Sequence, residues 1–439
     1  MLFAVMLLLA CEIGLAAWWA RRLRPCRNHI SFVEIFIWGH FYFFVVCLPF
    51  CEFTWSGAGP RDLWYLVPLL GLVFLGVCLG AFVVRHFAGS FVCPPAGEIP
   101  PESKSERARN LLLCGLLWVV TVDASVTHPE SLFVLVRMPY WERVMDATRL
   151  VPLFLLNAVS IVPVVLFGVR VLHGKGRRQL TAGLFAVAVM VQVATSLLTG
   201  ARARLLHVVA AVVFLGLYSG SRRLRRFAVV MLVVGGIVFV MFAYPLRIYR
   251  ETGDVGEAWA SLSEQSGQGT WFRDPTNEAA DFCMLSIDHY LHYAKWRGLD
   301  SIVGVAGWLI PRRFWPGKPV NFGNLMWTDI IGNRSAVGVS PTFLGEFFAC
   351  AGPYGILPIS FFFGVVLAGC QWLLKRWTSS LDYFALEACL AFAAFFTVRG
   401  DFTSAFGRSF MIIVPMFLLL DQAARWVLRI MAGSRARGP

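Results

Sequence analysis

The sequence predicts an all-α, polytopic integral membrane protein, and three observations carry that reading. Hydrophobic residues make up 58% of the 439 positions and charged residues only 15%, a balance that ordinary soluble domains do not have. The apolar residues are gathered in runs near the length of about 20 that one helical crossing of a bilayer needs. Between those runs, Lys and Arg are clustered rather than spread.

The runs lie at 2–20, 31–50, 63–84, 110–126, 150–172, 180–198, 204–220, 227–244, 355–374, 382–398 and 409–428, which gives about eleven crossings, one more or one fewer. The first lacks a basic leader and passes straight into "RRLRPCR" without a small-residue cleavage site, so it reads as a retained helix and not as a signal peptide. The basic clusters at Arg21 to Arg27, Gly174 to Arg178, Ser221 to Arg226, Leu374 to Arg376 and the tail "RWVLRIMAGSRARGP" are separated by even numbers of spans. Arg85 to Arg109 and Arg170 fall with them. Short cytoplasmic loops hold the excess of cations, which places the N-terminus outside and the C-terminus inside. The formal net charge of +13 is then a topology signal and calls for no nucleic acid.

The eleven cysteines show no metal or redox spacing. Cys51 and Cys283 are the pair placed clearly outside, where a disulfide between them is open. The Pro-rich stretch Cys93 to Ser105 reads as a connector. Glu12, Glu34, His40, Asp123 and Glu387 lie within apolar runs, too costly to face lipid, and are expected to face the bundle or sit near span ends.

Three parts follow from this layout: N-terminal spans over 1–243, a large outer loop over 244–340 and C-terminal spans over 341–439. The loop, roughly 95 residues where the other outer loops are short, is the expected seat of function. Its aromatics and short apolar runs predict helices lying at the membrane surface.

No G-x-x-x-x-G-K-[ST], G-x-G-x-x-G or D-x-D device is present, which argues against ATP-driven pumping and nucleotide-sugar donors. The outer face instead offers Arg202 and Arg204 in "TGARARLL", Arg247 and Arg250 in "YPLRIYRE", Arg273, Arg312 and Arg313, Arg399 and Arg408. Arginine is the side chain best shaped to grip a phosphate through two parallel hydrogen bonds. Single arginines at helix ends also snorkel or pair with acids such as Glu251 and Asp401. The close pairs Arg202 with Arg204 and Arg247 with Arg250 are harder to dismiss, because like charges at that spacing repel unless an anion is shared.

For proton transfer the outer side offers Asp288, His289, His292 and Glu346. Asp288 and His292 stand at i and i+4, where a carboxylate can orient an imidazole; a third ligand to support a zinc site is missing. The plainer reading is that Tyr290, Tyr293 and Trp296 anchor this helix at the interface while the histidines are wetted. Glu346 precedes "CAGPYG", where a helix is expected to break, and broken helices at membrane depth line cavities. In "IPRRFWPGKP" the three prolines stiffen the backbone, holding Arg312, Arg313 and Lys318 as a cationic lip while Phe314 and Trp315 dip into the interface.

That last stretch resembles the Pro-Arg-x-x-Trp-Pro-x-Lys-Pro loop of the Wzy-type O-antigen polymerases, the bacterial oligosaccharide repeat-unit polymerases. "TSLLTGARARLL" is similar to that family's small-Gly-small-Arg turn, with Arg202 or Arg204 at its arginine. "SPTFLGEFFACAGPYG" resembles its Thr-x-x-Gly-Glu segment and paired glycines through Thr342, Gly345, Glu346, Gly352 and Gly355, and "VRGDF" its Arg-Gly element through Arg399. The likeness runs mainly over residues 195 to 410. It implies a multi-pass inner-membrane glycosyltransferase of GT-C type with a periplasmic N-terminus and a cytoplasmic C-terminus. Such an enzyme takes undecaprenyl-diphosphate-linked oligosaccharide as donor and acceptor and joins repeat units at the periplasmic face, without a cofactor. A flippase and a chain-length regulator are the implied partners beside membrane lipid. The implied diphosphate ligands are Arg202, Arg204, Arg247, Arg250, Arg312, Arg313, Lys318, Arg399 and Arg408. Two rivals stand beside it: an O-antigen ligase, with the same donor and lipid A core as acceptor, and a proton-coupled transporter, against which the scatter of intramembrane acids without repeat symmetry counts.

Overall fold

A computed structural model describes residues 1–24, 30–51, 61–89, 178–198, 279–293, 295–307, 314–326, 341–377, 380–400 and 414–435, with isolated positions between them. Among the described residues every regular element is helical: α1 (Leu2–Arg22), α2 (Phe32–Phe41), α3 (Leu66–Ala88), α4 (Arg178–Leu198), α5 (Ala279–His292), α6 (Asp300–Ala306), α7 (Phe322–Leu325), α8 (Phe343–Trp377), α9 (Ser380–Thr397) and α10 (Val414–Arg435). α1, the segment Asp62–Ala88 containing α3, and α8 are long and apolar enough to cross a membrane. The runs expected at 31–50, 180–198, 382–398 and 409–428 coincide with α2, α4, α9 and α10. Those at 110–126, 204–220 and 227–244, most of 150–172, and Asp123 lie outside the described residues.

The chain divides into two compact units that interleave along the sequence. One comprises Met1–Cys93, Thr270–Thr378 and Leu390–Arg408; the other comprises Pro94–Gly269, Ser379–Cys389 and Ser409–Pro439. In the first, α1 buries Val5, Leu9, Ile13, Ala16 and Ala20, a stripe at three- and four-residue spacing. Its other face leaves Phe3, Leu15 and Trp18 exposed, an apolar surface suited to lipid. Arg24 forms a two-pronged ion pair with Glu34, which also closes a capping box with Ser31 at the start of α2. One expected intramembrane acid is thereby accounted for as a helix cap at a span end. After α2 the backbone continues through a π-helical turn, Tyr42–Val46. His40, fully buried, donates or accepts at Nδ1 against the Phe36 carbonyl at 3.0 Å and sits among the rings of Phe36, Phe44 and Phe74.

The tightest packing is between α3 and α8. A Cβ added to Gly80 would lie 2.1 Å from the Phe361 carbonyl oxygen, and one on Gly364 would lie 2.2 Å from that of Val77. The backbones touch because small residues sit at the crossing, the arrangement membrane helices use when apolar burial alone cannot hold them together. Farther along, the Trp372 indole donates to the Ala88 carbonyl at 3.2 Å and ties the ends of the two helices.

In the second unit the Tyr383 hydroxyl donates to Glu387 at 3.0 Å, both side chains being buried. Arg109, which the sequence groups with the inward-facing cations, is buried with its guanidinium 4.4 Å from the Phe417 ring centre. Cys283 is a free, buried thiol, so no disulfide joins it to Cys51.

Candidate functional site

The site grows from a break in α8. Gly352 has φ 63° and ψ −168°, a backbone region open essentially to glycine, and Pro353 follows it, so the helix is two pieces: a short one from Phe343 to Ala351 and a long one beyond. The break expected at "CAGPYG" is therefore present. The short piece is almost wholly buried. Buried helix ends need partners for their orphan N–H and C=O groups, and both ends of this one obtain them from distant parts of the chain.

At its start, Thr342 takes φ 65°, rare for a β-branched residue, and its Oγ1 accepts from the Gly345 N–H at 3.2 Å. The Thr342 N–H donates to the Arg399 carbonyl at 3.2 Å and the Phe343 N–H to the Val398 carbonyl at 3.0 Å. Glu346, fully buried one turn in, accepts through Oε2 from the Phe402 N–H. The two sequence stretches singled out above, Thr342 to Glu346 and Val398 to Phe402, are thus hydrogen-bonded to each other. Beneath them Phe36, Phe343, Phe347, Phe363, Phe402 and Phe406 form a continuous aromatic cluster with ring centres about 5 Å apart, the spacing aromatic pairs prefer.

At its other end the Arg297 and Gly298 N–H groups donate to the Ala349 and Cys350 carbonyls at 2.9 and 2.8 Å. Trp296 lies over Gly352, where a Cβ would come within 3.0 Å of the indole, and meets Phe348 edge-on at 5.6 Å. α5 runs alongside: the Ser286 hydroxyl donates to the Gly345 carbonyl at 2.8 Å. Burial pushes the neighbouring Cys283 thiol up to about 12, against the opposing effect of hydrogen bonds to Thr342 and Gly345. Asp281, buried on the same helix, accepts from the Ser56 N–H at 2.8 Å and from its hydroxyl, pinning the first outer loop to α5.

The remaining acid–base candidates stand elsewhere. His292 Nε2 and Asp288 Oδ1 are 3.7 Å apart, with each side chain more than half exposed. Asp288 is roughly 160° round the helix from Ser286, so this pair and Glu346 belong to opposite faces of α5. His289 packs edge-on to Tyr290 and tilted to Tyr293. The interfacial anchoring expected of the aromatics holds for Tyr293 and Trp296, which are exposed, but Tyr290 is core, packed on Phe322 at 5.9 Å.

In the stiff loop, Trp315 is folded onto Gly307 instead of dipping outward, while Phe314 is exposed. Lys318 Nζ donates to the Ile310 carbonyl at 3.3 Å and closes the loop on itself. Arg399, half-buried, has its guanidinium 6.0 Å from the Phe396 ring. Arg202, Arg204, Arg247, Arg250, Arg312, Arg313 and Arg408 lie outside the described residues. Among the described residues no group of three or more His, Cys, Asp or Glu could hold a metal ion.

No family model matches the chain, and no solved structure matches it. The site's own geometry is a buried half-helix whose start is fixed by an arginine-bearing turn and whose end is fixed by a second arginine, Arg297. Sequence reasoning missed Arg297 and Ser286. The legible signal was "KWRG", a cation followed by glycine after a helix, which is the pattern of a capping turn.

Replacing Gly352 with alanine is expected to cost about 1–3 kcal/mol, because a residue with a Cβ is strained in this backbone region and would also meet Trp296. A thermal melt of the detergent-solubilised protein checks it; an unchanged midpoint would show that the break relaxes.

Proposed function

We propose that the protein is a membrane glycosyltransferase that polymerises oligosaccharide repeat units carried on undecaprenyl diphosphate. On this reading the chain crosses the bacterial inner membrane about eleven times with its N-terminus in the periplasm, in a GT-C-like arrangement. The observation that supports it is the hydrogen-bonded meeting of the Thr342–Glu346 and Val398–Phe402 stretches, 56 residues apart in sequence, at a helix broken within the apolar interior. Irregular backbone at that depth is tolerated where it serves a cavity or pathway.

The reaction breaks the bond between the anomeric carbon of the growing chain and the phosphate oxygen of its carrier. The incoming unit's hydroxyl oxygen takes that carbon, its proton passes to a base, and lipid diphosphate leaves with the electron pair. Expelling it requires positive charge where negative charge develops. Arg399 is the described candidate, with Arg202, Arg204, Arg247 and Arg250 beside it, and Arg312, Arg313, Lys318 and Arg408 as outer ligands. The exposed Asp288–His292 pair suits the base role, its contact shortening when an acceptor binds. Glu346, held by the Phe402 N–H, positions the turn that carries Arg399.

Deleting the gene is expected to leave surface glycan capped by a single repeat, restored to long chains by a complementing copy. Loss of all glycan from its final acceptor with accumulation of lipid-linked polymer would favour the ligase; an unchanged profile would favour transport. In the purified enzyme, Arg399→Ala is expected to lower turnover by about 100- to 1000-fold, and Arg399→Lys to restore only part of it. Near-normal turnover in Arg399→Ala removes that residue from the diphosphate site.

A further inference from the structure

Arg297 holds the end of the buried half-helix through its backbone, but its side chain does something else. The side chain is 9% exposed, with Cζ 5.2 Å from the Phe322 ring centre. Nη2 donates to the Val320 carbonyl at 3.3 Å and lies 3.6 Å from Asp300 Oδ2. Nη1 is buried with no hydrogen-bond partner. A guanidinium nitrogen carries two N–H donors, and a buried donor without an acceptor in a native protein points to a water or a ligand.

We propose that Arg297 is a binding residue for a carboxylate carried on a sugar ring, which on the polymerising function set out above makes the repeat unit an acidic one. Three features select that chemistry. The planar fork of arginine matches a planar carboxylate. Asp300, half exposed at 3.6 Å, offsets part of the guanidinium charge, so a singly charged group fits better than a doubly charged phosphate. The Phe322 ring supplies an apolar wall for the C–H face of a sugar, and the exposed indole of Trp296 adjoins it in the chain. Nη1 is closed to solvent in this structure, so entry requires the Val320 contact to yield. That contact is a single 3.3 Å hydrogen bond on a residue which is itself exposed.

The test is saturation-transfer NMR on the full-length protein in nanodiscs, with glucuronate, glucose and inorganic phosphate as probes. Glucuronate is expected to show ring-proton saturation and glucose little. Arg297→Lys, which keeps the charge and the backbone cap, and Arg297→Gln should each weaken the signal by about tenfold while melting as the parent does. Equal signals from glucose and glucuronate, or signals unchanged in both variants, overturn the proposal. Displacement of glucuronate by phosphate at equal concentration reassigns the donor to phosphate and overturns the carboxylate. A much lower melt in both variants makes Arg297 a structural cap only. The outcome is separable from the polymerase reading: a surface glycan unchanged by gene deletion sinks that reading alone, whereas absent glucuronate binding alongside lost long chains sinks only the role of Arg297.

Discussion

Gly364→Leu is expected to abolish accumulation of folded protein. The Cβ alone would lie 2.2 Å from the Val77 carbonyl oxygen and 2.7 Å from the Val77 Cα, both backbone atoms that cannot rotate aside. α3 and α8 would have to separate along their length, breaking the Gly80 approach and the Trp372 bond to Ala88 together. Overpacking in a core commonly costs about 1–3 kcal/mol; here two rigid backbones collide, and the cost sits at or above the top of that range. Gly369→Ala on the same helix is the control, since a Cβ there meets nothing within 4 Å. It should be neutral or slightly stabilising through helix propensity. Size-exclusion profiles in mild detergent check both: a monodisperse Gly364→Leu peak at parental yield would mean that this contact is not a close one.

The second large effect is at Glu346. Glu346→Ala removes the acceptor of the buried Phe402 N–H, and an orphaned buried donor costs about 1–3 kcal/mol before the cavity is counted. The turn carrying Arg399 loses its anchor, so glycan polymerisation is expected to fall to background. Glu346→Gln keeps an oxygen in place and should retain the parental melt and a substantial part of the activity. That pattern marks a positioning residue. If Gln melts normally yet is as inactive as Ala, the carboxylate takes part in proton transfer and the assignment made here is wrong.

Much of the fold was legible because lipid and water impose opposite demands on side chains. The run at 2–20 became Leu2–Arg22 and that at 63–84 became Asp62–Ala88, since an apolar stretch of that length has no other economical conformation. The break near "CAGPYG" was legible too, because a Gly-Pro step both permits a positive φ and cannot continue the ladder of helical hydrogen bonds. Tyr290 was misjudged: a tyrosine on a helix with Tyr293 and Trp296 reads as an anchor, and only the arrival of Phe322 from 32 residues downstream makes it core. Trp315 was misjudged for the same reason, since its partner Gly307 offers no side chain to suggest a contact.

The sequence by itself determined where the chain is helical, where a helix must break and which chemistry-bearing stretches exist. These depend on local composition and on the few conformations open to glycine and proline. Only the tertiary structure decided that Thr342 to Glu346 is bonded to Val398 to Phe402, that Asp288 and His292 face away from them, and that Arg297 presents a buried donor. Those facts depend on which backbone carbonyls and rings come together across large separations in the chain, and pairings of that kind leave no periodicity in a single sequence.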